Sequence, residues 1–212
     1  MGKLIYSAYT SAHLLLLAVG IYLLDKSPNQ GTVILLLVLG GLVYDNLIIT
    51  VGDTIGEGQY LKFLNQLRYW CHGLFSPLLL VVTLQILKIA EIVWVSHPLI
   101  YPFTWALAIG LVLIEVLTRM TRLTLRPIVF SNTLRYKEVV PSKEIPTILV
   151  ISLMIMAGIL LWQQVGFPWL FLGSLTMLLG SGVPPTTVFG PAIGSGVEII
   201  LMASLVASQL LL

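Results

Sequence analysis

Seven runs of about 20 residues, almost free of charged side chains, leave this chain little choice of fold. They extend over Leu4–Leu24, Thr32–Thr50, Tyr69–Lys88, Pro102–Thr118, Ile145–Gln163, Phe167–Gly182 and Ala192–Leu211. At a helical rise of about 1.5 Å per residue, such a run matches a hydrocarbon layer of about 30 Å. Composition agrees: 58% of residues are hydrophobic and 9% are charged, with a mean hydropathy of +1.00. These values exclude an ordinary soluble domain. The expected fold is all-α, a polytopic integral membrane protein with about seven transmembrane helices in one bundle over residues 1–212. The first run is read as a retained helix rather than a cleaved leader, because it is as long as a span. The sixth run is short, and Pro184-Pro185 with the nearby glycines argues for a partly unwound stretch over Gly180–Gly190.

Threading these runs through a bilayer sorts the cations. Lys3, Lys62, Arg68, Arg119, Arg122, Arg126, Arg135, Lys137 and Lys143 fall on the N-terminal side, and only Lys26 and Lys88 fall on the other. The positive-inside rule then puts the N-terminus in the cytoplasm and the C-terminus in the opposite compartment. Trp94, Trp105, Trp162 and Trp169 mark the far interface and Trp70 the near one. Two connections on the near side do not span. Residues 52–68 read as a short amphipathic helix in the interface, entered through Gly52, Gly56 and Gly58. Residues 119–144 read as a basic loop, broken at Pro127. The single cysteine, Cys71, rules out an internal disulfide, and a net charge of +2 with no basic tail gives no reason to expect nucleic acid as a partner.

Against this apolar background, Asp45, Glu115 and Glu198 lie inside spans, all toward the near face. A carboxylate in a span is costly unless paired or protonated, and it marks a functional site by default. His72 enters one turn after Arg68, on the same helix face. Arg119, Arg122 and Arg126 continue the Glu115 stripe if that helix extends. Asn46 adjoins Asp45, and Tyr44 and Tyr69 offer aromatic walls. The expected site is therefore a polar pocket open to the near side, with Asp45, Glu198, His72 and Glu115 as catalytic groups. Tyr44, Asn46, Arg68, Tyr69, Arg119 and Arg122 would bind substrate. No metal-ligand spacing such as H-E-x-x-H occurs, no two histidines share a depth, and the last span has no lysine for a retinal Schiff base. No metal and no cofactor are expected.

In apolar surroundings a carboxyl group tends to keep its proton toward neutrality, so it can act as an acid on an alkene, epoxide or ester oxygen while a second group acts as base. The leading expectation is a membrane-embedded enzyme acting on a lipid or isoprenoid by isomerisation, cyclisation or cleavage, with the bilayer and that substrate as partners. In this reading Asp45 and Glu198 form the acid/base pair, His72 relays protons, and Arg68 and the Arg119 stripe hold an anionic head or a diphosphate. Small seven-helix membrane terpene cyclases have a similar overall plan, a likeness of architecture with no motif matched. A proton-coupled transporter is the alternative from a different class. The third is a non-catalytic subunit whose buried charges specify packing.

Overall fold

A computed structural model describes residues 2–140, 145–184, 187 and 190–212; Lys143 of the basic connection lies outside them. Helix α1 spans Gly2–Lys26 and α2 spans Gln30–Ile55. Asn29 separates them as an N-cap, its side chain accepting the Thr32 N–H at 2.9 Å. Helix α2 ends where Gly56 turns to φ +82°, a conformation that suits glycine. Helix α3, Gln59–Phe75, gives way to a single 3₁₀ turn at Ser76–Leu78, where Pro77 has no N–H to continue the ladder. Helix α4, Leu79–Ile89, carries the path on. Helix α5 spans Ile100–Thr118, α6 Ile145–Val165, α7 Trp169–Ser181 and α8 Gly190–Leu211.

Six helical paths among the described residues are long and apolar enough to cross a membrane, with α3 and α4 counting as one path of 31 residues. The sequence had suggested about seven. The sixth run yields only the 13-residue α7, about 20 Å long and short of the hydrocarbon thickness. It ends before the proline-rich stretch, and helix resumes at Gly190. Residues 52–68 form no separate interfacial helix: their first turn still belongs to α2, and from Gln59 they are continuous with the third span.

Helices α1, α2, α4, α6, α7 and α8 form a ring that α8 closes against α1, with α5 outside on α3 and α4. Close approaches use small residues. A Cβ at Gly158 would collide with the Phe171 backbone, and a Cβ at Gly173 would collide with Ser204. Ser204 thus serves packing within the bundle. The interior is one apolar cluster in which Leu35, Leu39, Ile86, Met154, Leu161 and Leu205 are wholly buried. Outward faces carry Leu15, Leu37, Leu113, Leu117, Ile148 and Met156, all exposed. Helices apolar on both faces are compatible with a lipid surround.

The basic connection is the main departure from the expected all-α plan. Leu125–Phe130 (β1) and Thr133–Glu138 (β2) pair antiparallel, with Phe130 opposite Thr133. Ser131 and Asn132 form the two-residue turn with φ of 48° and 60°, the type I′ geometry that matches strand twist. The hairpin folds back onto the bundle end. Gly2 donates its N–H to the Ser131 carbonyl at 3.1 Å, and Asn65 Oδ1 accepts the Tyr136 N–H at 3.2 Å. The Leu134 carbonyl sits so close to Gly52 that any side chain there would overlap it. Tyr136 and Leu125 join Ile48 and Leu61 in a small second core.

Candidate functional site

The ends of α2, α3, α5 and α8 and the strand β2 enclose a cavity of about 220 Å³. Asp45 and Ile49 enter from α2, and Arg68, Tyr69 and His72 from α3. Arg119 comes from the end of α5, Arg135 from β2, and Gly194, Ser195 and Glu198 from α8. Asp45, Glu198, His72, Arg68, Tyr69 and Arg119, all expected from the sequence, therefore share one chamber. Gly194 helps to keep it open, since a Cβ there would meet nothing within 4 Å. Gly196 instead seats the Tyr9 ring, 3.0 Å from where a Cβ would lie to the hydroxyl.

Two ion-pair systems order the cavity wall. Arg68 Nε donates to Asp45 Oδ1 at 2.9 Å, and its NH1 donates to Asn65 Oδ1 at 2.7 Å. Arg119 NH1 donates to Glu115 Oε1 at 2.8 Å and its NH2 to Glu138 Oε2 at 3.2 Å. The Arg119 guanidinium also lies 5.4 Å from the Tyr69 ring centre. Gly73 makes room for the Glu115 side chain. Glu115 is thus buried behind the wall as a partner of Arg119 and does not line the cavity. Its position suits positioning rather than proton transfer to a substrate.

Three expected binding residues lie elsewhere. Asn46 is fully buried, with Nδ2 donating to the Leu42 carbonyl at 3.0 Å. Tyr44 donates its hydroxyl to the Leu64 carbonyl at 2.9 Å. Arg122 is exposed on a 3₁₀ turn. The helix stops at Thr118 and the chain turns into β1, so the expected Glu115–Arg126 stripe cannot form. Of the other histidines, His13 is wholly buried, with Nδ1 against the Tyr9 carbonyl at 2.9 Å, and His97 is exposed.

Arg135 is the cavity residue that sequence reasoning missed, along with Ile49, Gly194 and Ser195. Its signal was present: Ser131-Asn132 sits between two short runs rich in β-formers, Ile128-Val129-Phe130 and Thr133–Tyr136. Reading that stretch as a loop hid it.

His72 and Glu198 also line a narrower cleft of about 40 Å³ whose other walls include Val38, Leu42, Leu79, Val150, Met177 and Leu201. The two residues stand where a polar chamber meets an apolar slot.

By length and composition, the six long apolar helical paths among the described residues are compatible with a multi-pass membrane protein. No protein-family model matches the chain, and no curated protein matches it.

Proposed function

We propose that the protein is a membrane-embedded enzyme that performs acid–base chemistry on a lipid or isoprenoid. Its substrate places a polar head in the chamber and an apolar chain in the cleft. The observation that carries this reading is the double placement of His72 and Glu198, which line both spaces. A group at such a boundary touches the bond between head and chain. Glu198 and His72 serve as proton donor and acceptor there. Asp45, already accepting from Arg68, acts as an orienting carboxylate. Isomerisation or cyclisation needs one proton delivered and one removed, with no further reactant.

Support for an enzyme over a permeation path comes from the interior beyond the cleft, which is packed with Leu, Ile, Val and Met. In this reading the chain crosses the membrane seven times, with α7 and its flanks forming the short crossing. The basic end faces the cytoplasm. An open-edged hairpin is unfit for hydrocarbon, because its edge N–H and C=O groups need water. This also favours keeping that end outside the lipid core.

The test is a paired lipid profile of membranes holding wild type or Glu198→Gln at matched levels, extended to lipids that co-purify with each protein. A lipid altered by wild type and untouched by the variant is the expected result. Identical profiles from two folded proteins would sink the reading.

A further inference from the structure

Arg135 is a buried cation whose charge is not met by a carboxylate among the described residues. It is 8% exposed, and among the described residues no acidic group forms an ion pair with it. It donates one hydrogen bond, from NH1 to the Tyr6 hydroxyl at 2.8 Å. Its guanidinium lies 5.4 Å from the Tyr6 ring centre and 5.5 Å from that of Phe130. Aromatic faces offset part of the cost of burying a cation but supply no countercharge. No further side-chain hydrogen bond from it is formed among the described residues.

Beside the main cavity is a recess of about 160 Å³ lined by Arg68, Tyr69, Arg135, Tyr136 and Lys137. Its lining holds three cations and no carboxylate. Arg68 is neutralised from behind by Asp45, whereas Arg135 and Lys137 are in no ion pair among the described residues. Both side chains project from the same face of β2, two residues apart. The two tyrosines are oriented helpfully: Tyr69 accepts the Glu138 N–H at 3.1 Å and Tyr136 the Gly58 N–H at 3.2 Å. Each hydroxyl therefore keeps its own proton to donate.

We propose that this recess binds a phosphate-class anion, a single phosphate or a diphosphate group. Arg135 grips it through its guanidinium fork, flanked by Arg68 and Lys137, with the tyrosine hydroxyls as added donors. A planar guanidinium matches tetrahedral oxyanions through paired N–H donors. Because the recess shares Arg68, Tyr69 and Arg135 with the catalytic chamber, the anion is assigned as the head of the substrate. That last identification rests on the enzymatic reading above.

The test uses the full chain in neutral detergent, with thermal unfolding followed while inorganic diphosphate is added against chloride at equal ionic strength. Wild type should show a saturable rise in unfolding temperature. Arg135→Gln should abolish it, and Lys137→Gln, an exposed position, should weaken binding about tenfold, as expected for loss of one charge-assisted contact. Nanodiscs of phosphatidylcholine with or without phosphatidic acid identify the source. Stabilisation by phosphatidic acid points to a lipid head, and stabilisation by diphosphate alone points to a soluble phosphate compound; either upholds the site. No saturable response to either ligand overturns it, as does wild-type affinity in Lys137→Gln, which decides the matter even if Arg135→Gln does not fold. Glu198→Gln separates the two proposals. If it retains diphosphate binding yet leaves lipid profiles identical to wild type, the chemistry fails and the anion site stands. If lipid turnover depends on Glu198 but no anion binds, the anion site alone fails.

Discussion

Arg119 and Arg135 are equally buried, each 8% exposed, and both line the same cavity, yet their surroundings differ. Arg119 is held by two carboxylates from two different elements, Glu115 on α5 and Glu138 on β2. Arg135 is held by a phenol oxygen and two aromatic rings. A guanidinium whose charge is already answered acts as a fastener. One with no carboxylate partner among the described residues is the one we propose for a ligand. Burial alone would have ranked the two alike; the counter-charge separates them.

The sharpest way to break this contrast is to remove the answer to Arg119. Glu115→Ala leaves a buried guanidinium short of its nearest partner and should destabilise the protein by about 3–5 kcal/mol. A large drop in unfolding temperature in detergent would show it, and a variant as stable as wild type would mean that Arg119 is no fastener. Next comes the strand that carries both Glu138 and Arg135. Gly52→Ala pushes a methyl group into the Leu134 carbonyl and should cost about 1–3 kcal/mol, the usual range for overpacking. Hydrogen exchange should rise over residues 125–138, and unchanged protection there would refute the contact. Tyr6→Phe keeps a ring under Arg135 but removes its hydrogen-bond acceptor. A loss of about 1.5–2 kcal/mol is expected for a bond to a charged donor, together with weaker diphosphate binding as the guanidinium loses its aim. If Tyr6→Phe changed stability but left anion affinity unchanged, Arg135 would be structural in the same sense as Arg119. The smallest effect belongs to Asp53→Ala. Its contact with Lys3 is 3.8 Å long, and both side chains are largely exposed. A change below about 0.5 kcal/mol is expected in thermal unfolding, which sets the baseline for ion pairs outside the cavity.

Much of the site was legible because depth in a span can be counted. Asp45, His72, Glu198, Arg68, Tyr69 and Arg119 could be placed at one end by residue number alone, and they line one cavity. The rotation of a side chain about its helix was less legible. Asn46 is next to Asp45 in sequence but about 100° around the helix, and it is turned into the packed interior. Tyr44 fails for the same reason. Arg122 and Arg126 fail because helix α5 stops sooner than their spacing assumed. Arg135 was missed because residues 119–144 were judged by their charge rather than by the alternation and Ser-Asn turn within them.

Sequence by itself determined the apolar helices, the gathering of charge at one end, and the depth of the carboxylates. These follow from the length of hydrocarbon-compatible runs and from the cost of placing charge inside them. Only the tertiary structure decided which cations are neutralised and which are left open, because a counter-charge can come from an element far away in the chain. Glu138 reaches Arg119 through a hairpin, and Arg135 lies against Tyr6, 129 residues earlier. No spacing rule within a helix could have revealed either contact.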